Sequence, residues 1–138
     1  MAMFRVLLLL VPLLLSSVCQ AQTEAETQAT DAAKAWLQLV DEGMYDESWQ
    51  EAASTFRKNV GKSQWRKMAQ GVREPLGALQ TRELESAKYT STLPGAPDGE
   101  YVIVQFKTKY ANKASAVETL TPMKDTDGVW RVSGYFVR

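Results

Sequence analysis

The hydrophobic period of this 138-residue chain changes once, around Pro75 and Gly77. Before that point apolar side chains recur at the helical spacing of about 3.6 residues, and after it they alternate with a period of about 2. A chain that makes this switch once has its helices and strands segregated, so it is expected to fold as an α+β layer rather than as alternating βαβ units.

In the helical half, Thr30 or Asp31 is placed to cap a first helix whose stripe is Ala32, Ala35, Trp36, Leu39 and Val40, with Gly43 just beyond its end. A short second helix over 46–53 presents Trp49, Ala52 and Ala53 and forms a hairpin with the first. Residues 56–62 read as a connection. Ser63 then caps a third helix with the stripe Trp65, Met68, Ala69 and Val72.

The strand half begins with weak alternation over 79–90, where Glu83 and Glu85 share a face, followed by the breaker-rich loop 93–99. Residues 101–110 alternate cleanly and set Val102, Val104, Phe106, Thr108 and Tyr110 on one face. Two further strands, 114–124 and 129–137, are joined through Asp125-Thr126-Asp127-Gly128, whose Asp-Gly pair is a hairpin signal. Strands that follow one another through short turns run antiparallel. The expected fold is therefore about three helices packed on a curved four-stranded antiparallel meander sheet, a cystatin-like or NTF2-like cone.

The first 21 residues read differently. Arg5 supplies a positive start, residues 6–15 an apolar run broken only by Pro12, and residues 16–21 a small or polar stretch. This is the three-part pattern of a secretion signal, with cleavage expected after Ala21. The run is too short for a span of about 20 residues, so no transmembrane segment is expected after cleavage. A lipidated Cys19 is disfavoured, because Ser16 and Val18 occupy positions where a lipobox needs Leu and a small residue. The expected product is periplasmic or secreted and starts at Gln22. Removing 21 residues from 138 leaves 117, comprising a flexible tail over 22–30 and a single domain over 31–138.

Two zeros limit its chemistry. The sequence has no His, and its one Cys, Cys19, lies in the segment expected to be removed. Ser-His-Asp and Cys-His catalysis, zinc sites built on His or Cys, iron–sulfur clusters and disulfides are thereby excluded from the mature chain. No cofactor and no metal ligand set is expected. Two tempting motifs fail. Gly61-Lys62-Ser63 has the end of a phosphate loop, but Phe56 stands where its first glycine belongs, and Asp125 to Gly128 lacks the later ligands of a calcium loop.

Several phrases nonetheless carry a likeness: AWLQLVDEGMYDESW from Ala35, QW at Gln64, REPLG from Arg73, PGAPDGEY from Pro94 and VWRVSGY from Val129. Over about residues 32–138 the chain resembles the bacterial domain-of-unknown-function 4019 family. The resemblance implies a small exported bacterial protein and brings no activity with it.

Two sets of residues are candidates for function. Trp36, Trp49 and Trp65 lie on predicted helix stripes, while Trp130 and Gly134 share a predicted strand face with Val132 and Phe136. These residues either fill the space between helices and sheet or, with Phe106, line an apolar pocket. Charge gives the second set. Residues 22–56 hold eight acids against Lys34 alone, whereas 57–73 hold the bases Arg57, Lys58, Lys62, Arg66, Lys67 and Arg73 and no acid. The two helical regions either complement each other or leave a basic surface for an anionic partner. With no basic run interleaved with stacking aromatics, nucleic acid is not an expected partner.

Catalysis without His would need a carboxylate in the sheet, Glu83, Glu85 or Glu118, with Tyr110 or Tyr135 beside it. Nothing in their spacing singles one out. The expectation is a non-catalytic domain binding a small apolar ligand or an envelope protein, the alternative being a cofactor-free NTF2-like enzyme with its carboxylate in the cone.

Overall fold

A computed structural model describes residues 15–138 of the chain. Arg5 and nearly all of the expected signal run lie outside the described residues. Four helices come first, α1 (Leu15–Asp41), α2 (Tyr45–Glu51), α3 (Ser54–Asn59) and α4 (Lys62–Leu76). Four strands follow, β1 (Leu79–Thr90), β2 (Tyr101–Tyr110), β3 (Lys113–Lys124) and β4 (Trp130–Val137). They pair antiparallel in the order β1-β2-β3-β4, the expected meander, and the fold is α+β.

The helices cover one face of the sheet. Ala29, Ala33, Trp36, Leu37 and Val40 of α1 and Trp65 and Ala69 of α4 are buried against Val102, Val104, Phe106, Leu120 and Val132. Each large apolar side chain so buried contributes about 1.5–3 kcal/mol, which lets a domain without staples hold together.

The helical half departs from expectation in four places, one being the α1 stripe, where Ala35 is exposed while Ala33 and Leu37 are buried. Residues 22–30, expected as a loose tail, are part of α1, and Thr30 and Asp31 lie inside the helix rather than capping it. The cause is a run of small residues at i, i+4 spacing, Ala25, Ala29 and Ala33, which favours helix and lets the backbone approach the sheet closely. Glu26 fastens this part by accepting the backbone N–H of Tyr89 on edge strand β1 at 3.0 Å.

Within 56–62, expected as a connection, part of an additional helix appears, so four helices replace the expected three. Its first residue is held from a distance, since Asp125 accepts both the backbone N–H of Ser54 at 3.0 Å and its hydroxyl at 2.8 Å. In α4 the buried stripe is Trp65, Ala69 and Arg73, while Met68 and Val72 are exposed. The helix is rotated from the hydrophobic reading because Arg73 reaches inward to the half-buried Asp41.

Bulges explain the sheet. Between Leu84 and Ser86 of β1 the partner strand advances only from Phe106 to Gln105, so Glu85 is an extra residue and the alternation is broken there. On β4 the register passes from Val132 opposite Pro122 to Tyr135 opposite Leu120, which inserts one residue at Ser133-Gly134. That insertion reverses the parity of the strand end. Trp130 and Val132 face the core as expected, but Tyr135 then packs against it while Phe136 turns out, 55% exposed.

Candidate functional site

Two regions qualify as sites, one sealed and one open. The sealed one lies where the C-terminal end of α1, the last half of α4 and the inner face of the sheet meet. Glu118 is 0% exposed. Arg82 Nε donates to its Oε1 at 2.7 Å and Arg82 Nη2 to its Oε2 at 3.2 Å. Thr108 Oγ1 donates to Oε1 and Tyr135 Oη to Oε2, each at 2.6 Å.

Arg82 also grips Asp41 with both terminal nitrogens, at 2.7 and 3.0 Å, and Arg73 Nη2 donates to the same carboxylate at 2.6 Å. Two carboxylates and two guanidiniums make the cluster neutral.

Burial opposes ionisation of Asp41 and Glu118, yet the guanidiniums outweigh it and hold both carboxyls below their ordinary values. Burial likewise opposes the charge on Arg82, and the two carboxylates more than restore it. The phenols move the other way. Burial first, and then the Glu118 charge, push Tyr110 up to about 12 and raise Tyr135 as well. Arg73 lies over the Tyr110 ring, 5.1 Å from its centroid, in a cation–π contact. The Tyr110 hydroxyl and Arg73 Nε and Nη1 have no partner among the described residues. The sequence offers Glu118 only as one of three sheet carboxylates with Tyr110 or Tyr135 as partner, assigns Arg73 to a basic surface instead, and gives no sign of Asp41 or Arg82. The missing signal was one of charge, since Arg82 lies opposite Thr108, an inner-face position of β2. Glu83 and Glu85, the other proposed carboxylates, are exposed.

The proposed aromatic set does not converge on one cavity. Trp36 and Trp65 stack at 5.5 Å between centroids, Phe56 meets Trp65 edge-on at 5.3 Å, and Tyr135 meets Trp36 edge-on at 5.3 Å. Their indole N–H groups are spent inside the protein: Trp36 donates to the Ser48 carbonyl, Trp65 to the Ser48 hydroxyl and Trp49 to the Val60 carbonyl. Phe106 is buried in the same core. Trp36 and Trp130 share the wall of a groove of about 210 Å³ between α1 and β4, whereas Gly134 lines a different cleft.

Nor do the six bases form one surface. Arg73 is buried in the sealed cluster, Arg66 makes a two-pronged pair with Asp46 of α2, and Lys62 lies over the Trp49 ring at 5.4 Å. Arg57, Lys58 and Lys67 are exposed. Complementation between the acidic and basic helical regions therefore accounts for Arg66 and Arg73.

The open region is a cleft of about 490 Å³ between α3, the loop before β2, the last residues of β3 and the bulge of β4. That volume is in the range of ligand sites. Leu93, Pro94, Pro97 and Met123 give it apolar walls; Thr55, Thr121, Ser133 and Tyr101 contribute hydroxyls and Asn59 an amide. The loop is shaped by turn chemistry, with Gly95 at φ 76°, and closed by Tyr101 Oη donating to the Pro97 carbonyl at 2.6 Å. The β4 bulge puts Gly134 in the wall.

Fold and sites together define a small α+β domain with a neutral ionic cluster sealed inside and an open cleft on its surface. The family model described as a protein of unknown function, DUF4019, matches residues 32–135, and the chain belongs to that family. No curated protein matches the chain.

Proposed function

We propose that this protein is an exported, non-catalytic binding domain whose ligand site is the cleft between α3, the 93–97 loop and the bulged part of β4. The observation that carries the reading is the contrast in access. The cleft is open and presents polar atoms beside apolar walls, whereas the carboxylate that an NTF2-like enzyme would need, Glu118, has no exposed surface and four donors on its two oxygens. A general base must reach the proton it removes. Export is supported by Arg5 and the short apolar run after it. Among the described residues no helix is long and apolar enough to cross a membrane.

The test is an amide-shift titration of the ¹⁵N-labelled mature protein against small organic acids, blocked peptides and sugars. Shifts clustered at Lys58, Met123, Ser133 and Gly134 are expected. Binding elsewhere, or by no compound in the set, overturns the assignment of the cleft. Export is checked separately by the mass of the chain recovered from the cell envelope, which should begin at Gln22.

A further inference from the structure

We infer that the occupant of this cleft is the C-terminal residue of a peptide chain, held through its free carboxylate by Lys58. The inference rests on the cleft being the binding site, and it comes from sorting the hydrogen-bonding capacity of the wall.

Among the described residues lining the cleft, Lys58 carries the only formal charge, and no carboxylate lies close enough to pair with it. The ammonium stands at the exposed end of α3, so an anion can approach it. Three of the four hydroxyl protons of the wall are already committed, the exception being that of Thr121. Thr55 donates to Met123 Sδ at 3.2 Å, Ser133 to the Thr121 carbonyl at 2.6 Å and Tyr101 to the Pro97 carbonyl. These three oxygens keep lone pairs and so face the cleft as acceptors, while Thr121 and the Asn59 amide keep donors for the ligand's carbonyl and carboxylate oxygens.

A ligand that satisfies this wall has one carboxylate for Lys58, at least one N–H donor for the hydroxyl oxygens, and an apolar group to lie against Leu93, Pro94 and Met123. A fatty acid supplies the first and third features without the second. A sugar supplies donors without the charge. The last residue of a peptide has all three, with its main-chain N–H close to the carboxylate and its side chain pointing away from both. Capture of a chain end through its carboxylate is an established mode of peptide recognition.

The probes are acetyl-Ala-Leu with a free carboxylate, the same peptide as its C-terminal amide, and hexanoate, titrated against the mature protein and its Lys58→Gln variant. The free acid should bind about tenfold more tightly than the amide, and K58Q should remove the difference, because only the charged hydrogen bond separates the two probes. Hexanoate should bind more weakly than the free-acid peptide. Equal binding of acid and amide, with shifts still at the cleft, overturns the carboxylate inference and leaves the cleft standing. Hexanoate binding as well as the peptide overturns the peptide assignment in favour of a free organic acid. If none of the three moves the cleft amides, the inference falls; whether the cleft falls with it is decided by the wider set of probes. Lys58 is exposed, so K58Q is expected to fold, and its far-ultraviolet circular dichroism should match the parent.

Discussion

The sealed cluster and the open cleft are built from the same strands and have opposite properties. Around Glu118 every carboxylate oxygen has donors from Arg82, Thr108 or Tyr135, and the charges cancel. At the cleft the protein spends three of its hydroxyl protons on itself and leaves a lysine without an ion-pair partner and several hydroxyl oxygens with lone pairs to spare. Polar groups that are buried and satisfied fix one arrangement of a core, while polar groups that are exposed and unsatisfied are available to something else. The difference teaches that in this fold the conspicuous charges serve structure, and the less conspicuous surface is where recognition is placed. Mutation can break that contrast on either side.

The largest effect is expected from Arg82→Ala. Among the described residues Arg82 alone bonds both carboxylates, so its loss strands Glu118 and half-strands Asp41 in a largely buried setting. Breaking a buried pair by removing one partner costs about 3–5 kcal/mol. Urea unfolding of the variant should show a drop of that size, and a loss under about 1 kcal/mol would mean that water reaches the cluster.

Next in size is the effect of pH. Asp41 and Glu118 ionise in the folded protein below their ordinary values of 3.8 and 4.5, so between folded and ordinary values the unfolded chain binds more protons. Stability from these groups is present above about 4.5 and is lost as pH falls through the folded values. Tyr110 behaves in the opposite sense. Its folded value is raised from 10 to about 12, so the unfolded chain releases its proton first and stability declines as pH rises across that window. A plot of melting temperature against pH should therefore be flat through neutrality with a shoulder falling on each side. Moving the alkaline fall to lower pH in Tyr110→Phe would contradict the assignment; its weakening would support it.

How much of this was legible in the sequence depended on whether period alone decides the placement. The inner face of β2 was legible because Val102 to Tyr110 pair in regular register through most of the strand, and hydrophobic alternation is then a direct record of facing. The end of β4 was not, since a one-residue bulge reverses the parity that alternation encodes. Gly134 lies in that bulge, and a strand glycine can mark such a bend, but the consequence for Tyr135 and Phe136 needs the register. In α4 the stripe failed because it counted only apolar residues. Arg73 is buried through its ion pair with Asp41, a contact 32 residues away along the chain that no local pattern carries. The continuation of α1 through 22–30 was hidden similarly, since alanines that pack closely against a sheet look in sequence like an unpatterned, Ala-rich segment.

The smallest expected change sharpens the comparison from the cleft side. A methyl group added at Gly134 would meet Thr121 at 3.8 Å, an ordinary van der Waals contact, and the residue's φ lies outside the left-handed region. Gly134→Ala should therefore alter stability by no more than about 0.5 kcal/mol, the range of substitutions that touch no special feature. Its effect should fall on the cleft, because the methyl group enters the wall that a ligand would contact. If the melting temperature is unchanged and affinity for the free-acid peptide falls, stability and recognition are separable in the way that the two regions suggest. A large loss of stability would instead show that the bulge itself, through the parity it imposes on Tyr135 and hence on Glu118, holds the sealed cluster in place. The cleft and the cluster would then be two ends of one structural element, and no mutation in the bulge could report on binding alone.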